Sequence, residues 1–295
     1  MPISEAQLET WGKQGPTAQF TATYEAVRGV LNDPTSPYYL RDFEIFLQGS
    51  YKNITNVYGD SDVDVIIRVD SIFYTDLFFL NEEEKKRYNA QRSAGAYTLG
   101  EFKASVIAWL TKAYGSDVKL GKKAVFIKGS GTRRDADVLV CAKLRRYYTF
   151  PANGTPVYVD GICFFLPDGT RIENFPEVHS QNCTAKHQKT SQLFKHTVRI
   201  FKNLRNTMIE KKIIEDGLAP SYFIEGMLYN VPPDRYGGSE QLNFKDVLKW
   251  LLAADRDKFV SANEQFKLLG NGHVTWPAAN CARFLNAVSA YNNAV

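Results

Sequence analysis

Residues 43–69 read FEIFLQGSYKNITNVYGDSDVDVIIRV and carry the strongest structural pattern in the sequence. The first part of this stretch, FEIFL at 43–47, is a short apolar-rich strand. Gly49-Ser50 follows almost at once, and a polar, turn-prone segment runs from 52 to 61. The chain then enters a second strand at 62–69, where apolar residues dominate. The stretch therefore predicts two strands joined by a Gly-Ser turn and a polar connection.

The second strand begins with an Asp-x-Asp pair. Because side chains alternate along a strand, Asp62 and Asp64 project from one face, and Val63 and Val65 project from the other into the core. Two carboxylates held side by side are costly unless a cation neutralises them. Hard oxygen ligands that tolerate retained water and phosphate favour magnesium or manganese. The pair therefore predicts a divalent cation site.

A third acid comes from a later strand, predicted at 135–141, where Asp135 and Asp137 share one face. One of them is enough for a two-metal site, and we select Asp137 because it directly precedes an apolar run, as Asp64 does. Two cations stabilise the attacking and the leaving oxygen of an in-line displacement. We expect Asp62 and Asp64 to bind the cation that holds a triphosphate. Asp137 would bind the other and could accept the proton of the attacking hydroxyl.

The residues before the polar connection are suited to phosphate. Gly49 lets the backbone approach a ligand closely, and the Ser50 hydroxyl can donate to phosphate oxygens together with nearby amides. We include Gln48, which precedes them, among the nucleotide-binding residues. An isolated Asp-x-Asp is often only a polar strand edge, and Gly-Ser is a common turn. The order of strand, Gly-Ser, spacer, Asp-x-Asp and distant Asp is what indicates nucleotidyl transfer.

The rest of the chain divides into a strand-rich first part and a helical second part, which is the α+β pattern. In the first part we predict helices at 17–32 and 98–114 and strands at 124–128 and 156–166. A long helical segment starts near residue 188, and further helices are predicted at 221–229, 244–253 and 277–291.

Composition narrows the class of protein. The four cysteines have no paired spacing, which favours reduced thiols in a cytoplasmic protein. Apolar runs are too short to span a bilayer, and no signal peptide is visible, so we expect no membrane association. The net charge of +4 comes with small, dispersed basic clusters. We therefore expect no nucleic-acid activator.

His179, Cys183 and His187 have a spacing that would align them on one face of a helix, as the ligands of a second metal site would be. Gln181-Asn182 favours a loop there, and no fourth ligand is evident. We therefore expect no metal site at this row.

These features resemble the polymerase-β-like nucleotidyltransferase superfamily, whose hallmark is Gly-Ser, a spacer, Asp-x-Asp and a remote third acid. More narrowly, the chain resembles the bacterial CD-NTases of anti-phage CBASS systems, relatives of cyclic GMP-AMP synthase and oligoadenylate synthase. The resemblance spans nearly the whole chain. It is carried by 3–11, 43–69, 135–147 (DADVLVCAKLRRY) and 221–231 (SYFIEGMLYNV).

The resemblance implies a bilobed cage with the active site in the cleft. A nucleotidyltransferase lobe with a mixed sheet and flanking helices would comprise residues 1–180, and an oligoadenylate-synthase-like helical lobe residues 181–295. In the relatives, a lysine and a serine of the helical lobe bind the donor triphosphate. The local sequence pattern predicts that Lys202 and Ser221 correspond to them. Otherwise, Lys202 would be a solvated lysine on an amphipathic helix. Ser221 would be a helix N-cap after Pro220.

The resemblance also implies an activity. The enzyme would join nucleoside triphosphates into a cyclic di- or trinucleotide and release pyrophosphate, with two Mg²⁺ or Mn²⁺ ions. We expect a purine-containing product, with a cyclic GMP-AMP type among the candidates. The product would bind a downstream effector, and regulatory or conjugating protein partners are compatible with the family.

Two other functions use the same residues. Nucleotidyl transfer to an antibiotic, a protein or an RNA end needs only the metal triad. The predicted helical lobe makes this function less favoured, because small modifying transferases are not expected to carry it. An inactive nucleotide-binding sensor would belong to a different class of protein. The three intact acids speak against that function.

Overall fold

The computed structural model describes residues 2–58, 62–93 and 95–294. By contacts, the chain divides into two compact units. The first, which we call the helical unit, comprises Met1–Thr17, Gly49–Asp60 and Pro176–Val295, and the second, the sheet unit, comprises Ala18–Gln48 and Ser61–Phe175.

Helices and strands alternate in the first part of the described chain, and helices alone fill the second. The helices are α1 (Glu5–Gly12), α2 (Ala18–Leu31), α3 (Gly49–Asn53), α4 (Glu82–Gln91), α5 (Leu99–Tyr114), α6 (Pro176–Lys189), α7 (Leu193–Glu210), α8 (Ser221–Tyr229), α9 (Glu240–Ala253) and α10 (Ala278–Ala294). The strands are β1 (Phe43–Leu47), β2 (Val63–Asp76), β3 (Val118–Leu120), β4 (Val125–Ile127), β5 (Ala136–Thr149), β6 (Val157–Phe165) and β7 (Arg171–Asn174).

The sheet unit is built on one mixed sheet. Its order is β1-β2-β5-β4-β3, with β6 paired to β5 and β7 paired to β6. β2 and β5 are parallel, and the other described pairs are antiparallel. The β2–β5 pair forms the centre of the sheet, and its valines Val63, Val65 and Val138 are buried. Burial of such β-branched side chains on a pleated surface stabilises the two strands that position the acids.

The helical unit has its own apolar core. α7 contributes buried side chains along one face, among them Val198, Phe201 and Leu204. Trp276 is also buried in this core, and its indole N–H donates to the carbonyl of Leu218 at 2.9 Å. A buried indole needs such a partner, because an unpaired N–H would lose its hydrogen bond to water. The predicted fold class, a mixed sheet with flanking helices plus a helical domain, is confirmed.

Several elements differ from the sequence-based expectations. β2 and β5 each continue well beyond the predicted ends, and α3 begins inside the region expected to be a turn. The expected loop at Gln181-Asn182 is wrong, because both residues lie within α6. α6 buries the polar residues His179 and Ser180 together with Cys183, so it lacks the apolar period by which a helix is recognised in sequence.

The units also cross the predicted domain boundary. The expected division at 180/181 lies five residues beyond the end of the sheet unit at Phe175. The segments Met1–Thr17 and Gly49–Asp60, expected in the first lobe, belong by contacts to the helical unit. Hydrogen bonds explain this grouping within the helical unit, since the Arg199 side chain donates to the carbonyls of Gly12 at 2.6 Å and Ile54 at 2.7 Å.

Candidate active site

Two of the three predicted acids lie on the two central strands of the sheet unit, and the third directly precedes one of them. β2 and β5 pair in parallel with Asp64 directly opposite Asp137. Register partners on neighbouring strands point to the same face of a sheet, about 4.8 Å apart between strands. Asp62 precedes β2 by one residue, and all three acids are partly exposed, whereas Val63 and Ala136 are buried. The register thus brings the Asp-x-Asp pair and the remote acid to one face.

Asp135 has a different role. Its carboxylate accepts the backbone N–H of Gly129 at 2.6 Å and so holds the turn before β5. Asp137 is the β5 acid that pairs with Asp64 in the strand register. Its selection from the sequence rests on the position of Asp137 before an apolar run, and the strand register gives it a geometric reason.

The electrostatics of this face favour a cation. Partial burial raises the pKa of Asp137, and the neighbouring charges of Asp62 and Asp135 raise it further. Carboxylates that are close enough to raise one another's pKa destabilise one another unless a cation lies between them. A set of carboxylate oxygens is also the donor set that magnesium and manganese prefer. The residues present therefore fit a divalent cation bound by Asp62, Asp64 and Asp137.

Gln48 joins β1 to the strand that carries the acids. Its backbone N–H donates to the Asp64 carbonyl at 3.0 Å. The side-chain oxygen of Gln48 is buried, and no described residue donates to it. A buried carbonyl oxygen without a donor is costly, so this position carries a local energetic cost in the fold.

Gly49 and Ser50 begin α3 rather than an open turn. Gly49 has φ of +72°, a left-handed conformation that side chains with a Cβ rarely adopt. The N–H of Thr55 donates to the Ser50 carbonyl at 2.9 Å, so the backbone at Thr55 returns to the start of α3. The sequence predicts a glycine at this position for close approach, and the backbone conformation gives a second reason for it.

Lys202 is buried on α7, with none of its surface exposed. Its ammonium donates to the Thr55 carbonyl at 2.9 Å, five residues after Ser50. The alternative of a solvated lysine on an amphipathic helix is therefore wrong. A buried ammonium is costly unless it is paired and hydrogen-bonded, so its placement beside this segment needs compensation from nearby groups.

Ser221 is the first residue of α8, and Pro220 occupies the cap position. The alternative of an N-cap at Ser221 is therefore wrong. Its hydroxyl accepts from the Arg205 guanidinium at 3.1 Å, and the same nitrogen of Arg205 donates to the Ala219 carbonyl at 3.0 Å. The arrangement places a hydroxyl and a guanidinium together at the start of α8.

Sequence reasoning missed one buried group. Glu225 on α8 is 3% exposed and contacts His179 of α6 at 2.7 Å. Among the described residues, His179, Cys183 and Glu225 offer possible ligand atoms within 4.8 Å of one another. His187 is not in this group, and its Nδ1 accepts the Lys195 backbone N–H at 3.2 Å. A charged residue inside the apolar stretch SYFIEGMLY was the signal that could have found Glu225.

Two further expectations concern the whole chain. All four cysteines are free and buried. No helix in the part of the chain that the structure describes is long and apolar enough to cross a membrane.

Comparisons with known proteins identify the family to which the chain belongs. The cGAS/DncV-like nucleotidyltransferase C-terminal helical domain matches residues 181–293. The cyclic UMP-AMP synthase of Rhodothermus marinus is 40% identical over 289 residues, which cover 97% of this chain and 96% of that protein. Cyclic nucleotide synthase CdnE01 of Staphylococcus haemolyticus is 33% identical over 302 residues, which cover 99% of each.

Solved structures agree with these relatives. The Rhodothermus marinus CdnE c-UMP-AMP synthase with Apcpp and Upnpp superposes with a TM-score of 0.88 at 36% identity, covering 99% of this chain and 97% of that one. The Elizabethkingia meningoseptica CdnE cyclic dinucleotide synthase with GTP and Apcpp gives a TM-score of 0.79 at 29% identity over 98% of each. The prediction of a nucleotidyltransferase is confirmed by this agreement over the full length. The chain therefore belongs to the cGAS/DncV-like nucleotidyltransferases, the CD-NTases, and its relatives from Rhodothermus and Staphylococcus are cyclic nucleotide synthases.

Proposed function

We propose that this chain joins two nucleoside triphosphates into a cyclic dinucleotide and releases pyrophosphate at each bond formed. The observation that carries the proposal is the parallel register of Asp64 with Asp137, with Asp62 two residues before Asp64. This arrangement gathers three acids on one face, which is the donor set of a divalent cation site.

Asp62, Asp64 and Asp137 would hold two Mg²⁺ or Mn²⁺ ions. When bound, these ions neutralise charge on the triphosphate and on the attacking and leaving oxygens. Asp137 would also accept the proton of the attacking hydroxyl as a general base.

The remaining predicted residues would bind the nucleotide. Gly49 and Ser50 would present backbone and hydroxyl donors to phosphate oxygens, and Gln48, which precedes them, would contribute its side-chain amide. Lys202 would contribute positive charge beside the same segment, and Ser221 a hydroxyl donor. These roles rest on charge, on hydrogen-bonding capacity and on the resemblance.

The substrates would be ATP and a second nucleoside triphosphate. Full-length similarity to a cyclic UMP-AMP synthase favours UTP as that second substrate over GTP. The product still contains a purine, as expected from the sequence, but a cyclic UMP-AMP type is favoured over a cyclic GMP-AMP type. A downstream effector would bind it.

The test is incubation with all four ribonucleoside triphosphates and Mg²⁺ or Mn²⁺, followed by mass spectrometry of the phosphatase-treated products. We expect a phosphatase-resistant cyclic dinucleotide without an added acceptor. A requirement for an acceptor would favour transfer to another molecule, and no turnover would favour an inactive sensor.

Site assignment is tested with a matched pair of double variants. Asp62→Ala with Asp64→Ala should abolish product while the far-ultraviolet circular dichroism spectrum stays unchanged. Asp255→Ala with Asp257→Ala removes an exposed Asp-x-Asp from the helical unit and should leave product formation intact. Unchanged product yield in the first variant would overturn the assignment of the metal ligands.

A further inference from the structure

A buried carboxylate joins α8 to the segment that follows Gly49-Ser50. Within the helical unit, the Glu225 Oε1 accepts the Thr55 hydroxyl at 2.5 Å, and the Oε2 accepts the Asn53 amide at 3.0 Å. The Oε2 also contacts the His179 Nε2 at 2.7 Å. We call Glu225, Asn53, Thr55 and His179 the Glu225 network. Each of its four side chains is buried.

The charge on Glu225 is compensated locally. Burial disfavours the carboxylate, but hydrogen bonding and charge from His179, the charge of Lys202 and the Thr55 hydroxyl outweigh it and hold the pKa of Glu225 below its ordinary value. Breaking a buried charged network by removing one partner is strongly destabilising, since the remaining groups lose their compensation. The Glu225 network therefore fixes the position of the segment that carries Asn53 and Thr55.

The segment fixed by the Glu225 network has a strained backbone at Ile54. Ile54 has φ of +57°, which is unfavourable for a β-branched side chain. Its carbonyl accepts from the Arg199 guanidinium at 2.7 Å, and the next carbonyl, that of Thr55, accepts from the Lys202 ammonium at 2.9 Å. Such a conformation persists only when surrounding contacts fix it. Glu225 fixes the two side chains on either side of Ile54.

We propose that Glu225 is a positioning residue for triphosphate binding. Through Asn53 and Thr55 it fixes the backbone that continues from Gly49-Ser50 and that receives the Lys202 ammonium. The inference rests on the proposed function, because it assigns phosphate contact to those residues. Glu225 itself touches no substrate.

The same carboxylate lies in a group that could bind a metal with His179 and Cys183. We favour the positioning role because both Glu225 oxygens already accept hydrogen bonds from Asn53 and Thr55. His179 and Glu225 also contact each other directly at 2.7 Å, as a hydrogen-bonded pair does.

The first experiment measures kcat and KM for ATP, below the melting temperature of each variant, in Glu225→Gln and in Thr55→Val. Thr55→Val keeps the shape of the side chain and removes one hydrogen bond to Glu225. We expect KM for ATP to rise about tenfold in Glu225→Gln and about threefold in Thr55→Val, with kcat within about twofold. A rise in KM alone is the signature of lost binding that is common to the ground and transition states.

A matched control variant separates a specific rise in KM for ATP from a general loss of stability. Thr197 is also fully buried in the helical unit, where its hydroxyl donates to the Leu193 carbonyl at 2.9 Å and accepts from Asn243 at 2.9 Å. Thr197→Val should lower the melting temperature as Thr55→Val does, but leave KM unchanged. Equal KM effects in the two valine variants would overturn the positioning role.

Relief of strain gives a second readout. Adding Ile54→Gly to Glu225→Gln should recover about threefold of the lost affinity, because glycine adopts the left-handed conformation without strain. Lys212 has the same φ of +57° on the surface of the same unit, so Lys212→Gly is the control and should recover nothing. Recovery by both glycines or by neither would contradict the proposal.

The two proposals fail in different ways. If the wild-type chain forms no product and binds no ATP, the proposed function is wrong. If the wild type is active and Glu225→Gln retains wild-type KM for ATP, only the positioning role is wrong.

Discussion

At the scale of single residues, Asp137 shows how an active site is assembled at the expense of stability. Its carboxylate lies in register with Asp64 and close enough to Asp62 and Asp135 for their charges to raise its pKa. In the absence of a cation these groups repel one another. A group whose folded pKa is raised destabilises the fold once it ionises, so Asp137 weakens the metal-free protein at neutral pH.

Asp137→Asn should therefore separate activity from stability. We expect product formation to be lost, while the melting temperature of the metal-free protein rises by a few degrees because repulsion is relieved. Asp160→Asn is the control in the same sheet. Asp160 lies 3.7 Å from Lys143 and 3.4 Å from Arg145, so its neutralisation should leave the melting temperature unchanged or lower it. A lower melting temperature in Asp137→Asn, measured by calorimetry in EDTA, would contradict this account.

At the scale of elements, α6 and α8 are joined by a charged pair rather than by apolar contacts alone. Burial disfavours a charged imidazole, but Cys183 and Glu225 outweigh it and raise the pKa of His179 to about 10. His179 also stacks on Tyr222 of α8, with ring centroids 5.1 Å apart. α6 has no strong apolar face, and these contacts contribute to its attachment.

The pair predicts a dependence on pH. Because the folded pKa of His179 is raised, its contribution to stability is complete below the unfolded value near 6.5 and is lost as pH rises toward about 10. The difference in melting temperature between wild type and His179→Gln should therefore shrink between pH 7 and pH 10.

His187→Gln, in the same helix, is the control for this measurement. Burial, with the positive charges of Lys195, Arg199 and His196, lowers the pKa of His187 to about 4, so it stays neutral over that range. Its difference from wild type should not change with pH. A constant difference for His179→Gln would show that the pair is uncharged.

At the scale of the whole molecule, binding of the proposed nucleotide and metal ions is linked to the stability of the fold. A ligand that binds only the folded chain stabilises it by mass action.

ATP with Mg²⁺ should therefore raise the melting temperature. At a concentration about 100 times Kd the stabilisation is about 2.7 kcal/mol, or a shift of about 4 °C for a chain of this size. Removing the metal with EDTA, or replacing Asp62 and Asp64 by alanine, should remove most of the shift in a thermal-unfolding assay. An equal shift in EDTA would show that the nucleotide binds independently of the acids.

Features that depend on short-range pattern could be predicted from the sequence. The shared face of the Asp-x-Asp pair, the need for glycine at position 49 and the helix at Ser221–Tyr229 follow from side-chain alternation, backbone preference and apolar period, which act over a few residues. The resemblance supplied Lys202 and Ser221 as candidates, and the structure corrected the local alternatives for both.

Only the tertiary structure decided which distant groups meet. The parallel register of β2 with β5 gives the reason for selecting Asp137, since pairing across more than seventy residues is set by the whole sheet. The same holds for Glu225, whose partners Asn53 and Thr55 lie about 170 residues away. A buried carboxylate is stable only where such partners converge, and that convergence is a property of packing that no local pattern encodes.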